Sequence, residues 1–400
     1  MRAHRGALIC VLLSVAGLAL CTYLGFLHIA LLRGELMGGA ACGGAGSVFN
    51  CHAVTAGRMG SALGMPLWVW GLIGYLAALN LASFAWLFPD WTNSALTLLT
   101  GLSLVFVGID AVLFTLMVTQ IRYLCLFCLL TYLVNLSLLI VSKRALTQPW
   151  SQVLGRMGGA VASLLPSMQR PATWLFWIMM GLGVSGSVGL YAATSFVSQG
   201  SPGMVHKQIR EFVSHEPRVY PEISSDPSMG PSNAPIQIVE FSDFFCPVCQ
   251  RASKFNTIIL ASHRQDVRFV FKQFPLDMSC NETLQRMVHP GACTVAAAAE
   301  CANLQGKFWP LHDRIFEEGQ HYNPKMLEQD AAQLGLEVPR FQSCMASGEG
   351  IDAVKRDVAE GKRIGVSSTP TYVVNGLKVS GVMTPAMFEQ FVAVLRDTDH

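Results

Sequence analysis

Five apolar runs, at residues 6–32, 64–88, 94–119, 123–141 and 172–197, constrain this chain more than anything else in it. Each approaches or exceeds the ~20 residues that an α-helix needs to cross a bilayer. Hydrocarbon offers no partner to a peptide group, so such runs must be helices that bond internally. All five lie in the first half of the chain. Residues 1–200 hold nine Lys and Arg against three Asp and Glu, whereas residues 201–400 hold nineteen against twenty-three. The first half is therefore membrane-like and the second reads as a soluble domain. Across 400 residues only 14% are charged and the net charge is +2, which gives no reason to expect a nucleic-acid partner. The first run follows Arg2 and Arg5 as a secretory signal would, but it exceeds a signal's ~7–15-residue apolar core and four more runs follow, so it is read as retained.

Lys and Arg in short connections set orientation. With the N-terminus in the cytoplasm, Arg2, Arg5, Lys143, Arg144, Arg156 and Arg170 lie inside, and Arg33, Arg58 and Arg122 lie outside. Five crossings then deliver the C-terminal half to the outer face, together with loop 33–63 and the start of the fourth run.

That start carries Cys125-Leu126-Phe127-Cys128. On a helix, residues three apart share a face, so the two sulfurs can pair. A redox pair here would sit between water-soluble thiols and a lipid-soluble electron carrier; the alternative is gap-filling by small sulfur side chains. Loop 33–63 holds a second pair, Cys42 and Cys51, in the glycine-rich stretch ACGGAGSVFNCHAV, where mobility suits a disulfide that visits two partners. Zinc held by Cys42, Cys51 and His52 is the alternative, and it lacks a fourth ligand with suitable spacing. Gly64-Met65-Pro66 reads as the opening of the next helix, with proline in the first turn.

Over roughly residues 10–145 these features together resemble the bacterial vitamin K epoxide reductase family: a loop cysteine pair, Cys51-x-x-Val54 before Gly64-x-Pro66, and Cys-x-x-Cys at the outer end of the fourth run. The resemblance implies a four-helix bundle around a quinone, ubiquinone or menaquinone, with Cys128 facing the quinone and Cys125 exchanging with the loop cysteines. Where the family carries a serine near the quinone, this chain has Gly57, and Thr55 is the nearest hydroxyl.

Asp110 lies deep in the third run, where an ionisable group is costly and marks a functional site by default. Its readings are a proton relay for quinone reduction or a protonated side chain bonded to a neighbouring helix. Asn135 and His28 read as helix–helix contacts, and Cys10 and Cys21 as packing. Residues 146–198 form a basic cytoplasmic connection and a fifth crossing, needed to bring a C-terminal domain outside. Residues 199–232 read as a Pro-, Ser- and Gly-rich linker with a short amphipathic helix around 205–213.

From residue 233 the pattern changes. Ile236 to Phe241 reads as a buried strand, and it runs into Cys246-Pro247-Val248-Cys249 at a helix start. Unpaired amides and the helix dipole favour a thiolate at Cys246, which makes it the nucleophile and Cys249 the resolving thiol. Pro370, between Thr369 and a β-rich run ending in Asn375-Gly376, suits a cis-proline that opens an edge strand of a hairpin. Zinc at Cys246 and Cys249 is the alternative. These motifs resemble the DsbA-like thioredoxin fold over roughly residues 230–398. The resemblance implies that Pro370 faces the cysteines, that Thr369 contacts substrate backbone and that Glu240 is a buried acid assisting proton transfer; a structural carboxylate is the other reading of Glu240. Helices at 295–304, 309–318, 324–334 and 352–362 make the expected helical insertion. Cys280 with Cys293 and Cys301 with Cys344 are candidate structural disulfides, with burial as free thiols the rival.

The expected architecture is thus an all-α membrane bundle, four core helices (1–145) plus a linking fifth, followed by an α/β thioredoxin-like fold with a helical insertion (233–400). The expected protein is a thiol oxidase of the bacterial cytoplasmic membrane with its C-terminal domain on the periplasmic side, and with no metal. It would move electrons from reduced exported proteins through Cys246/Cys249, Cys42/Cys51 and Cys125/Cys128 to a membrane quinone. The rivals are a tethered reductase, isomerase or binding module uncoupled from quinone, and an inward conduit of reducing equivalents, which would need a cytoplasmic-side cysteine pair that the chain lacks.

Overall fold

The computed structural model describes residues 2–33, 35–37, 42, 48–56, 60–165, 171–199 and 202–398. It divides into two compact units, the first closing at Pro202 and the second running from Gly203.

In the first unit, α1 (Arg2–Leu32) is followed by the short α2 (Cys51–Ala56) and a tiny hairpin of β1 (Ser61–Ala62) and β2 (Met65–Pro66). Then come α3 (Leu67–Leu87), α4 (Thr92–Leu116), α5 (Leu126–Leu146), the short α6 (Trp150–Gly155) and α7 (Met157–Leu164), and α8 (Pro171–Gln199). Among the described residues, five helices are long and apolar enough to cross a membrane: α1, α3, α4, α5 and α8. The first four pack on one another, and α8 lies against α3. Small residues let the backbones approach, as expected where lipid gives no hydrophobic drive between helices. A Cβ on Gly17 would strike the ring of Tyr75, and one on Gly25 would come within 2.8 Å of Trp68. The outward faces, including Leu12, Val105, Leu133 and Leu182, are exposed and apolar, as a lipid-facing surface requires. Pro66 does not enter the next helix: it is extended at the N-cap and α3 begins at Leu67, because residues 65–66 are used by the hairpin. At the same end of the bundle α4 widens into a π turn (Met117–Ile121), and Arg122, left-handed at φ 61°, ends it and turns the chain towards Cys125.

In the second unit α9 (Pro202–His215) precedes a five-stranded sheet, ordered β3 (Ser228–Met229), β5 (Val267–Gln273), β4 (Ile236–Ser242), β6 (Thr371–Val374) and β7 (Leu377–Ser380). Strand β4 is parallel to β5 and antiparallel to β6. Helix α10 (Pro247–Ser262) links β4 to β5. Between β5 and β6 lie α11 (Ala292–Asn303), α12 (Phe308–Glu318), α13 (Leu327–Gln333), α14 (Val338–Ser347) and α15 (Glu349–Arg363), and α16 (Pro385–Thr398) closes the unit. Helix α14 was not expected from the sequence; it carries proline in its first turn, which its fixed φ suits. Strand β6 is internal, between β4 and β7, rather than at an edge. Pro370 is tolerated because it immediately precedes the first ladder residue, Thr371, so its missing N–H falls outside the ladder. Much of the stretch read as linker is bound to this unit: Val219 N–H donates to Gly376 O at 2.8 Å, and Ser228–Met229 pairs with β5. Two disulfides tie the insertion, Cys280 to Cys293 and Cys301 to Cys344. Beneath β5 the buried Lys272 ammonium lies 2.6 Å from Asp226 and 2.9 Å from Asp357.

Candidate active site

Cys246 is the extended N-cap of α10, with Pro247 in the first turn. Its thiol is drawn down to about 6, first by the hydrogen bond from Cys249 and then, against the opposing effect of burial, by the amides of Cys249 and Val248 and by Thr369. Its sulfur lies 3.6 Å from the Thr369 carbonyl oxygen, and the Thr369–Pro370 peptide is cis. Cys249 is fully buried, which pushes its thiol well up. Behind the pair, Glu240 on β4 is pushed up to about 8 by burial. Asn256 Nδ2 donates to Glu240 Oε2 at 2.7 Å, and Tyr372 hydroxyl donates to Asn256 Oδ1 at 3.2 Å. A thiol that ionises readily, a shielded second thiol and a buried acid together can make and break a mixed disulfide.

In the helical unit, a short β-bridge joins segments far apart in sequence. Leu124 N–H donates to Val48 O and Asn50 N–H to Leu124 O, both at 2.8 Å. Asn50 also caps α2, its Oδ1 accepting from Ala53 N–H at 2.9 Å. Cys51, the first residue of α2, is thereby set against the first turn of α5. Its thiol is lowered to about 7, foremost by the hydrogen bond from Cys42 and, with burial opposing, also by the Phe127 and Leu126 amides. The same bond pushes the Cys42 thiol up. Cys125 and Cys128 are joined as a disulfide at that helix start, and Cys125 sulfur accepts from Cys128 N–H at 3.2 Å. His52 Nε2 lies 2.7 Å from the Met37 carbonyl, and among the described residues no three metal-binding side chains gather.

Cys128 lines a cavity between the helices, shared with Asp110, Asn135, Tyr75, Tyr132 and Trp68. Asn135 Nδ2 donates to Asp110 Oδ2 at 2.9 Å, and Tyr75 hydroxyl donates to Asn135 Oδ1 at 2.7 Å. The remaining walls are apolar, with Leu24, Phe106, Ile109 and Leu113 among them. An apolar slot with a few convergent polar groups beside a sulfur fits a flat, polar-edged ring with a greasy tail. Thr55 also lines it, but its hydroxyl donates to Cys51 O at 2.8 Å; Gly57 lies outside the described residues. Cys21 borders the same cavity, while Cys10 is buried in the helix packing.

Sequence reasoning passed over Tyr132, Tyr75 and Asn256. Tyr132 carried a signal, since four residues after Cys128 it shares that cysteine's helix face. Tyr75 and Asn256 reach their sites only through tertiary packing.

Residues 8–143 match the vitamin K epoxide reductase family and residues 223–393 match a family described as thioredoxin. The chain therefore joins a helical region that matches the vitamin K epoxide reductase family to a domain that matches thioredoxin. Among solved structures, a thioredoxin-like oxidoreductase from Silicibacter pomeroyi is 24% identical, covering 44% of this chain and 94% of its own at a TM-score of 0.37. BdbD from Bacillus subtilis is 21% identical, covering 46% and 99% at 0.38. Curated relatives include the Na(+)/H(+) antiporter NhaA 3 of Salinispora tropica, 35% identical over 38% of this chain and 22% of that protein. The antiporter NhaA of Herminiimonas arsenicoxydans is 34% identical over 42% of this chain and 24% of that protein. The chain thus spans less than a quarter of the length of these two curated relatives.

Proposed function

We propose that this protein is a membrane thiol oxidase that forms disulfides in exported proteins and passes the electrons to a membrane quinone, ubiquinone or menaquinone. The observation that carries the proposal is the bridge at Leu124, which holds Cys51 against the amides that open α5, beside the Cys125–Cys128 disulfide.

A reduced substrate gives its two electrons to the Cys246–Cys249 disulfide and leaves with a disulfide of its own. Cys246 thiolate then attacks the Cys42–Cys51 bond at Cys42, and Cys249 resolves the mixed disulfide. Cys51, whose thiol ionises near neutral pH, is released and attacks Cys125, freeing Cys128; Cys42, released by Cys249, then attacks Cys51, which restores the loop disulfide and leaves Cys125 and Cys128 as a dithiol. A quinone bound beside Cys128 supplies a sink for two electrons and two protons. Asp110, Asn135, Tyr75 and Tyr132 would hold its polar edge, and Asp110 would hold one of the protons. The N-terminus lies in the cytoplasm of a bacterium and the thioredoxin-like domain in the periplasm. The antiporter names belong to proteins most of whose length has no counterpart here, and ion transport is not carried over.

The test is turnover by the purified full-length chain with a reduced dithiol peptide and ubiquinone or menaquinone analogues. One hydroquinone should form per peptide disulfide, and Cys128→Ala should stop turnover while a single round of peptide oxidation persists. Continued steady-state turnover in that variant would favour an uncoupled thioredoxin module.

A further inference from the structure

In Cys246-Pro247-Val248-Cys249 neither residue between the sulfurs can carry charge. The structure brings an ionisable group to the nucleophile from elsewhere. Asp243, 1% exposed, lies three residues before Cys246, and its backbone carbonyl accepts from Cys246 N–H at 3.1 Å. Its Oδ1 accepts from Phe245 N–H at 2.8 Å, and its Oδ2 accepts from Leu276 N–H at 2.8 Å and lies 2.6 Å from His289 Nδ1.

His289 stands on the loop that the Cys280–Cys293 disulfide closes. That loop is anchored separately by Asp277, which accepts from Gly291 N–H at 2.8 Å and from Cys293 N–H at 3.3 Å. It packs close to the cysteine motif, since a Cβ on Gly291 would meet the Phe245 ring at 3.6 Å. Asp243 foremost, and the negative charge of a Cys246 thiolate as well, favour the protonated imidazole, while partial burial opposes it. Asp243 and Cys246 are the titratable groups that act on the ring; Glu240 and Cys249 interact with Cys246 from behind.

We infer that His289 is a positioning residue for Cys246, supplying through its Asp243-held ring the positive charge that Val248 cannot, and so making the Cys246–Cys249 pair a stronger oxidant. When a substrate dithiol reduces the pair, the Cys246–Cys249 bond breaks and the substrate's disulfide forms. Cys246 is left as thiolate, Cys249 as thiol, and one proton leaves to solvent. A cation beside that thiolate stabilises the reduced form, and the potential rises with it.

The inference rests on Cys246/Cys249 being an exchanging pair, but not on quinone as acceptor. Full-length protein without added quinone is equilibrated in glutathione buffers and acid-quenched, and the Cys246–Cys249 peptide is quantified by mass spectrometry. His289→Asn keeps an amide that can donate to Asp243 and removes the charge. It should move the equilibrium about tenfold towards the disulfide, roughly 30 mV to lower potential, and should raise the pH at which Cys246 is alkylated half-maximally. Asp277→Asn loosens the same loop but leaves the imidazole and its partner, so it should shift neither. An unchanged equilibrium in His289→Asn, or an equal shift in both variants, overturns the inference. Failure of the wild-type pair to equilibrate at all would overturn both it and the oxidase reading.

Discussion

Cys246 and Cys51 both lie against the amides of a helix start, and they reach them by opposite routes. Cys246 caps its own helix: its thiol is drawn down to about 6 foremost by the hydrogen bond from Cys249, and the amides that add to this come from Cys249 and Val248 in the same turn. Cys51 is lowered to about 7 foremost by the hydrogen bond from Cys42, and the amides that add to this are borrowed from Phe127 and Leu126 of α5, far along the chain. A nucleophile built within one turn is fixed by local sequence. One assembled across the fold depends on whatever holds the two segments in register, here the bridge of residues 48–50 to Leu124. On the oxidase reading the first would serve many substrates with its geometry intact, whereas the second would serve one partner, Cys125–Cys128.

The largest effect that would break this comparison comes from the bridge. Leu124→Pro removes the N–H that donates to Val48 O. It should slow electron entry into Cys125–Cys128 by about 100-fold, as misplacements near 1 Å do, without altering peptide oxidation by Cys246. Stopped-flow quinone reduction against single-turnover peptide oxidation checks it; equal loss in both would mean the segments are not independent.

A smaller effect falls on the second thiol of the local site. Glu240 can act as a base for Cys249 only when ionised, and burial moves that ionisation up to about 8. Resolution of the mixed disulfide should therefore quicken as pH rises through about 8. In Glu240→Gln it should be slower, by about 100-fold if proton transfer is general-base catalysed, and without that rise. A Gln variant with the wild-type profile would leave Glu240 a purely structural carboxylate.

The smallest effect is the difference between the thiols themselves. A lowered pKa means that thiolate is present above the midpoint and is lost as pH falls through it. Peptide-resolved alkylation of the reduced protein should give midpoints near 6 for Cys246 and near 7 for Cys51. The reverse order would contradict the stronger lowering assigned to Cys246.

The same contrast explains what could be read from the sequence. Period, length and local spacing exposed the five long helices, the strand running into Cys246, and Cys125-x-x-Cys128, because each is written within one or two turns. Helix α14 was missed because it is short, so its apolar positions Val338, Phe341, Cys344 and Met345 repeat over barely two turns. The bridge at Leu124 and the His289–Asp243 pair were invisible because each joins residues from different elements through packing, whereas Asp110 and Asn135 each read as interhelical contacts and only their meeting with each other and with Tyr75 did not. Pro370 suggested an edge strand, yet the ladder begins just after it and β6 lies inside the sheet.

The central claim, that electrons pass from the thioredoxin-like domain to the bundle through the loop pair, is tested most directly by trapping the exchange. In Cys249→Ala/Cys51→Ala each partner keeps a single thiol, and mild oxidation with diamide followed by non-reducing proteolysis and mass spectrometry reads which sulfurs join. The account predicts a Cys246–Cys42 linkage within one chain. Cys246 joined to Cys125 instead would show that the loop is not the intermediary and would contradict it.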